Sequence, residues 1–114
     1  MTPLEIVRDY FRGWVEADQE RLHLHPDFCH VSPHGVFEGR DAFLAACWAG
    51  RAGGKLHIEA EVAQGNTVVI RHAIPTPLGP FPVCEWFQVE HGLITECRAY
   101  YDRRFGEAEE TTTS

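Results

Sequence analysis

The chain of 114 residues has few positive charges and no cluster of them. Ten Lys and Arg residues face seventeen Asp and Glu residues, so the formal net charge is −7. Only Arg103 and Arg104 are adjacent, whereas binding to nucleic acid or to an anionic membrane surface calls for a basic face. The charge pattern therefore argues against both kinds of partner.

Long apolar runs and regularly spaced cysteines are also missing. No apolar segment approaches the ~20 residues that a membrane-spanning helix needs, and the charged N-terminus is unlike a signal peptide. The cysteines show no CxxC spacing and sit among apolar neighbours, as small buried hydrophobic residues do. We therefore expect a cytoplasmic protein with no membrane segment and no disulfide framework. The four cysteines are Cys29, Cys47, Cys84 and Cys97.

The apolar content is sufficient for one core. Apolar residues make up 44% of the chain and charged residues 24%, as is usual for a globular domain. A chain of this length is too short for two domains. Residues 1–105 are predicted to form one domain, and residues 106–114 (GEAEETTTS) to form a disordered tail because they have little to bury.

The N-terminal half has the pattern of three helices. Thr2 opens a capping box, and an apolar stripe at helical spacing then extends to about Ala17. Asp18 and Pro26 bound a short second helix over residues 19–24, and a third helix is predicted over residues 40–49, ended by glycines at 50, 53 and 54. The segment DFCHVS (27–32) between them is a short strand. The stripe consists of Leu4, Val7, Tyr10, Phe11 and Trp14.

From residue 55 onward the pattern changes to that of β-strands. KLHIEAEVAQ (55–64) alternates, with Leu56, Ile58, Ala60 and Val62 on one face. Three further strands are predicted in NTVVIRHAI, VCEWFQVE and LITECRAYYD. The proline-rich PTPLGPFP (75–82) is predicted to be a connection and not a central strand. Helices followed by antiparallel strands indicate an α+β fold with the helices on one face of a curved sheet.

The last two strands form a hairpin whose register decides which side chains share a face. A three-residue turn over 90–92 is preferred to a two-residue turn at His91–Gly92, because it pairs Glu85 with Cys97 and gives one coherent apolar face. That face contains Val83, Glu85, Phe87, Val89, Leu93, Cys97, Ala99 and Tyr101. The other face suits a subunit interface. It contains Trp86, Gln88, Ile94, Glu96, Arg98 and Tyr100.

Three segments resemble one known family. IVRDYFRGWVEADQERL, HVSPHGVFEGRDAFLAA and EWFQVEHGLITECRAYYD are similar to the SnoaL-like branch of the nuclear transport factor 2-like superfamily, over residues 4–102. The resemblance implies a cone-shaped, curved and mostly antiparallel sheet that encloses a cavity together with the three helices. It also implies a homodimer through the outer sheet face. The fold serves isomerases, epoxide hydrolases, dehydratases, polyketide cyclases and members without catalysis.

The resemblance to ketosteroid isomerase places two oxygen-stabilising groups in this chain. Tyr10 falls on its helical tyrosine and Glu85 on its protonated acid, but Ser32 falls on its base and cannot act as one alone. His30, or else His34, is the expected substitute, so Tyr10, Glu85 and His30 are the candidate catalytic residues. The expected cavity lining is completed by Trp14, Ser32, Phe87, Cys97, Ala99 and Tyr101.

The sequence has no acid at the position where other enzymes of this fold have a catalytic aspartate. Ala99 falls where the epoxide hydrolase and the SnoaL-type cyclase have their aspartate, and Asp102 is expected to form an ion pair or a strand-end hydrogen bond beside Arg103 and Arg104. No cofactor is predicted.

The histidines near the end of the second predicted helix are expected to be solvated or hydrogen-bonded, since their spacing does not converge on a metal ion. They are His23, His25, His30 and His34.

Two functions therefore stay open. One is an enzyme that isomerises, dehydrates or cyclises a small hydrophobic carbonyl compound. The other is a non-catalytic, dimeric module that binds a small apolar ligand or a partner chain.

Overall fold

The computed structural model describes residues 1–49 and 56–104, which form two α-helices on one face of a six-stranded sheet. The strand order is β2-β1-β6-β5-β4-β3; β1 and β6 are parallel and the other pairs are antiparallel. The α+β fold with a mostly antiparallel sheet is therefore confirmed. The elements are α1 (Pro3–Glu16), β1 (Leu24–Ser32), β2 (Gly35–Glu38), α2 (Arg40–Cys47), β3 (His57–Gln64), β4 (Thr67–Thr76), β5 (Gly79–Glu90) and β6 (Leu93–Tyr100).

Helix α1 begins and ends as its sequence predicts. Thr2 and Glu5 form a complete capping box, and Ala17 ends the helix in the left-handed conformation. The apolar stripe packs on the sheet, where the rings of Tyr10 and Phe11 contact Phe87 at centroid distances of 5.2 and 5.7 Å. This contact anchors α1 over the middle of β5.

The second predicted helix is only a 3-10 turn. It spans Gln19–Leu22, capped by Asp18, and β1 begins at Leu24 and continues through Pro26. The pairing of β1 with β6 is interrupted between Leu24 and Cys29, so the missing N–H of Pro26 breaks no ladder hydrogen bond. The prediction of three helices was therefore wrong by one. Helix α2 ends at Cys47, and the glycines predicted to end it lie outside the described residues.

The proline-rich segment is a hairpin and not an irregular connection. Strand β4 reaches Thr76 and β5 starts at Gly79, so that Pro75 pairs with Pro80. Pairing of β4 with β3 stops at Ala73, and pairing of β5 with β6 stops at Cys84. Both strands of the hairpin tip are thus edges, where a proline without an N–H is tolerated.

The β5–β6 hairpin has the two-residue turn that the sequence argument rejected, and its register beyond the turn matches neither of the two alternatives. His91 and Gly92 form a two-residue turn with φ of 52° and 79°, as a type I′ turn requires. A bulge at Thr95 then adds one residue to β6, so Glu85 faces Ala99 and not Cys97. The bulge also turns Ile94 into the core, where it is fully buried. The assignment of Ile94 to the outer face was therefore wrong.

A second bulge divides the predicted apolar face of β3. Ile58 pairs with the buried His72, whereas Ala60 pairs with the exposed Arg71, with one extra residue between them. Ile58 and Val62 consequently lie on opposite faces of the sheet.

The core lies between the two helices and the inner face of the sheet. Its fully buried side chains come from the 3-10 turn, helix α1 and four strands, and they form one hydrophobic core. They are Val7, Leu22, Phe28, Val68, Ile70, Phe87, Ile94 and Cys97. None of the helices formed by residues 1–49 and 56–104 is long and apolar enough to cross a membrane. The predicted tail, residues 106–114, lies outside the described residues.

Candidate functional site

A cavity of about 230 Å³ opens between α1, α2 and the inner face of the sheet. Most of its walls are aromatic or aliphatic, and four of the side chains in them carry a hydroxyl, imidazole or carboxyl group: Tyr10, His30, His72 and Glu85. A mainly apolar pocket with a few converging polar groups is the usual form of a small-molecule site. Its remaining lining residues are Phe11, Trp14, Val15, Phe43, Cys47, Leu56 and Ile74.

A buried carboxyl–imidazole pair forms one wall of the cavity. His72 Nε2 lies 2.8 Å from Glu85 Oε2, and the two residues are only 3% and 9% exposed. Glu85 is paired with Ile70 across the β4–β5 ladder, so His72, two residues further along β4, is its diagonal neighbour on the inner face. The other carboxyl oxygen, Oε1, accepts a hydrogen bond from the Cys97 thiol at 3.6 Å. Both oxygens of Glu85 are thus held by protein groups.

Tyr10 is a neutral hydroxyl donor on the helix side of the cavity. Burial raises the pKa of Tyr10 well above its usual range, and Cys97 and Glu85 raise it further, while a hydrogen bond with Trp14 acts in the opposite direction. The hydroxyl therefore keeps its proton near neutral pH. Within the described part of the chain Glu85 bonds to His72 and Cys97, so no direct hydrogen bond joins it to Tyr10.

His30 reaches the cavity from β1 as a neutral imidazole. It is paired with Cys97 in the parallel β1–β6 ladder and stacks on Phe43 with 4.8 Å between ring centroids. Burial lowers the pKa of His30, and the nearby Glu85 carboxyl opposes this only in part. Its Nδ1 is buried and has no hydrogen-bond partner among the described residues. The ring is therefore available to a ligand.

The structure brings four of the predicted site residues to the cavity: Tyr10, Trp14, His30 and Glu85. Phe87 and Cys97 are fully buried behind its walls. The lining defined by residues 1–49 and 56–104 does not include Ser32, Ala99 or Tyr101.

Two polar residues that are not in the cavity lining, Ser32 and Tyr101, form hydrogen bonds with His34 at the end of β1. Ser32 Oγ accepts a hydrogen bond from the backbone N–H of His34, and His34 Nδ1 lies 2.7 Å from the Tyr101 hydroxyl. Hence neither Ser32 nor His34 takes part in the cavity.

His72 is a site residue whose position the sequence argument left open. Both alternations of its strand are apolar, so the sequence left open whether it faces the cavity or an interface. Val68 and Ile70 precede it on the same face and are fully buried, which is the signal that places it inside. The register that sets it beside Glu85 depends on pairing with another strand.

His23 and Asp102, which the sequence analysis considered, have structural roles. Asp9 on α1 lies 2.7 Å from His23 Nε2 and accepts a hydrogen bond from Arg21 at 2.8 Å, which ties the helix to the turn before β1. Asp102 accepts from the backbone and side chain of Arg104, and these bonds lower its pKa to about 2. The expected ion pair of Asp102 is therefore confirmed.

Comparisons with solved structures agree with this architecture. A protein from Kribbella flavida superposes with a TM-score of 0.85 at 23% identity, covering 96% of this chain and 94% of that one. A protein named TerC, co-crystallised with polyporic acid, superposes with a TM-score of 0.76 at 18% identity, covering 99% and 100%. An LEH-like epoxide hydrolase from M. tuberculosis has 27% identity and a TM-score of 0.72, covering 88% and 78%.

The family follows from the sequence profile. No curated protein matches the chain. The profile of the SnoaL-like domain matches residues 7–97, which include most of α1, both residues of the carboxyl–imidazole pair and most of β6. This protein belongs to the SnoaL-like domain family, within the nuclear transport factor 2-like fold.

Proposed function

We propose that this protein is an enzyme that moves a proton on a small, largely apolar carbonyl compound. The observation that supports this most strongly is the Glu85–His72 pair in the wall of an apolar cavity. Burying two such groups opposes folding unless they are paired, and proton-exchanging groups in clefts are concentrated at catalytic sites. A pair that faces an open cavity, and not a filled core, is therefore better explained by chemistry than by packing.

The geometry supports roles that differ from those implied by the resemblance to ketosteroid isomerase. Glu85, oriented by His72, takes the proton from the carbon next to the substrate carbonyl, and the C–H electron pair forms an enolate. Tyr10 donates a hydrogen bond to the enolate oxygen, with neutral His30 as the second group near it. Return of the proton to a different carbon completes an isomerisation.

The cavity limits the size of the substrate. A volume of about 230 Å³ compares with roughly 150 Å³ for an engineered cavity that holds benzene. The cavity therefore suits a compact molecule of one or two rings, and its aromatic walls favour a planar one. A protein of the same fold that was co-crystallised with the small organic compound polyporic acid is consistent with this size class.

Deuterium exchange tests the proposal without knowledge of the natural substrate. Small cyclic ketones and enones are incubated with the protein in D₂O, and label at the carbon next to the carbonyl is followed by NMR. We expect wild type to accelerate exchange for at least one compound, and Glu85→Gln to reduce that rate by about 10²–10⁴-fold. Tyr10→Phe is expected to reduce it by about 10²-fold through loss of the donor to the oxygen.

Glu90→Gln is the matched control, because Glu90 is an exposed carboxylate at the end of the same strand, β5. It should exchange label at the wild-type rate. Equal rates in wild type and Glu85→Gln across the whole panel would refute the proposed function.

Ligand binding without catalysis is the second candidate. It is favoured by Ala99, which pairs directly with Glu85 and contributes no second acid, and by the absence of Ser32 from the cavity lining of the described residues. Quenching of Trp14 fluorescence by a panel compound, with no exchange of label in any compound, would support this function and contradict the enzymatic one.

We also propose that two copies associate through the outer face of the sheet. One row of paired residues crosses all six strands there, and all but one of its members are apolar. Several are well exposed in the single chain, among them Val62 at 63% and Trp86 at 44%. The row is Val62, Val69, Trp86, Arg98, Val31 and Val36, and Tyr100, exposed at 56%, extends it.

A further inference from the structure

We propose that His30, Glu85 and Cys97 form a binding site for Zn²⁺ in the wall of the cavity. Their ligand atoms, one from each side chain, all lie within 4.8 Å of one another. In a tetrahedral zinc site with bonds of about 2.0–2.3 Å, neighbouring ligand atoms are about 3.5 Å apart. Side-chain adjustments of roughly an ångström therefore bring the three groups onto one ion.

The sheet holds these three residues together. His30 and Cys97 are partners in the parallel β1–β6 ladder, and Glu85 extends from β5 so that its Oε1 is 3.6 Å from Cys97 Sγ. Each ligand comes from a different strand of one sheet, so the site is built on regular secondary structure and not on a loop. Its geometry is thus set by the strand pairing.

The chemistry of the donors selects zinc. An imidazole nitrogen, a carboxylate oxygen and a sulfur together suit Zn²⁺, whereas Mg²⁺ and Ca²⁺ take sets of oxygens. On binding, a Zn–S bond replaces the S–H bond of Cys97 and the proton leaves to solvent. Three protein ligands leave a fourth position for water or a ligand oxygen.

The groups around the three ligands have the arrangement of an outer ligand shell. His72 Nε2 lies 2.8 Å from Glu85 Oε2, the oxygen that does not contact Cys97, so Oε1 stays available to the ion while the carboxyl is held in place. The His30 ring is fixed by its stack on Phe43 and has no hydrogen-bond partner at Nδ1 in the described part of the chain. The first feature is expected of an oriented metal ligand, and the second leaves Nδ1 without a competing partner.

The zinc proposal does not rest on the proposed function, although both assign a role to the same residue. A bound ion and the proposed proton transfer would use the same Glu85 carboxyl, so zinc binding is measured without substrate and exchange of label is measured on metal-free protein. Failure of one experiment leaves the result of the other intact.

The test is metal titration of the full chain after treatment with a chelator. Calorimetry with Zn²⁺ is expected to give one ion per chain, and Co²⁺ is expected to give the visible bands of tetrahedral cobalt with a thiolate-to-cobalt charge-transfer band. Cys97→Ser should abolish the charge-transfer band and weaken Zn²⁺ binding by more than about 100-fold, since loss of a supporting partner alone weakens it by roughly 10–100-fold. His72→Phe, which removes only a supporting partner, is expected to weaken Zn²⁺ binding by roughly 10–100-fold.

Two cysteines provide matched controls. Cys47→Ser removes a thiol that lines the cavity, and Cys84→Ser removes a thiol from β5 on the outer face. Both variants should keep the wild-type spectrum and affinity.

Because Cys97 is fully buried, Cys97→Ser is checked for folding by circular dichroism, and His30→Gln at a partly exposed position serves as the second variant. His30→Gln should also weaken Zn²⁺ binding by more than about 100-fold. Absence of the thiolate band in wild type, or wild-type affinity in folded His30→Gln, would overturn the proposal.

Discussion

Removing His72 alone is expected to destabilise the protein, although removing both members of the buried pair is not. In His72→Phe the Glu85 carboxyl loses the donor at 2.8 Å while it stays only 9% exposed. A buried polar group left without its partner costs about 1–3 kcal/mol, and breaking a buried ion pair about 3–5 kcal/mol. We therefore expect the free energy of unfolding to fall by about 2–4 kcal/mol, a large part of the usual 5–15 kcal/mol.

The double variant His72→Phe/Glu85→Leu has no polar group to leave unpaired. The new phenyl ring would lie beside Phe11, whose ring is 5.1 Å from that of His72, and the cavity next to both positions accommodates a change of shape. Replacing a buried pair by apolar residues is often neutral or stabilising. The double variant is therefore expected to unfold within about 1 kcal/mol of wild type, or at higher denaturant.

The assay is urea unfolding of wild type, both single variants and the double variant near neutral pH, followed by circular dichroism. Equal slopes against urea are required before the four free energies are compared as a cycle. A double variant that is destabilised by the sum of the two single losses would mean that the two side chains do not interact and that each stabilises the fold separately. The main support for a catalytic role of Glu85 would then be lost.

Three further predictions follow from single contacts. Gly13→Ala should lower the melting temperature, because a Cβ there would lie 2.8 Å from the Asp18 carbonyl oxygen. Overpacking costs about 1–3 kcal/mol, which exceeds the gain in helix propensity of about 1 kcal/mol from replacing glycine. An unchanged or higher melting temperature would contradict the clash. The pKa of Asp9 is lowered by its bonds to His23 and Arg21. The ionised carboxylate therefore stabilises the fold at pH values above the unfolded-state pKa, and this stabilisation is lost as the pH falls through the folded-state pKa. Asp9→Asn should therefore destabilise to urea near neutral pH and lose its effect in acid, and a penalty that persists in acid would disprove the linkage. Trp86→Glu should give a monomer in sedimentation experiments, and an intact dimer would refute the proposed interface.

Local features of the fold were predictable because the residues that make them are neighbours in the chain. The capping box of Thr2 and Glu5 spans four residues, and the whole of α1 spans fourteen. The prediction of a helix over residues 19–24 failed because the 3-10 turn at Gln19–Leu22 is set by packing of Leu22, which is 1% exposed.

Part of the candidate site was also accessible from the residues. Tyr10 lies on a helical stripe and Glu85 on an apolar strand face, and both reach the cavity. Ser32 was placed in the cavity by resemblance alone, and its hydroxyl instead accepts a hydrogen bond at the β1–β2 turn.

The sequence by itself determined the two α-helices, the alternation of most strands and the family, because each depends on local spacing or on a pattern shared across the chain. Only the tertiary structure decided the partners of Glu85. The bulge at Thr95 sets it opposite Ala99, the β4–β5 register brings His72 to it, and the parallel β1–β6 pairing puts His30 beside Cys97. A shift of one residue in any of these ladders would turn the side chains of that strand to the other face. Such a choice is made by hydrogen bonds between distant strands, and the spacing of residues within one strand does not encode it.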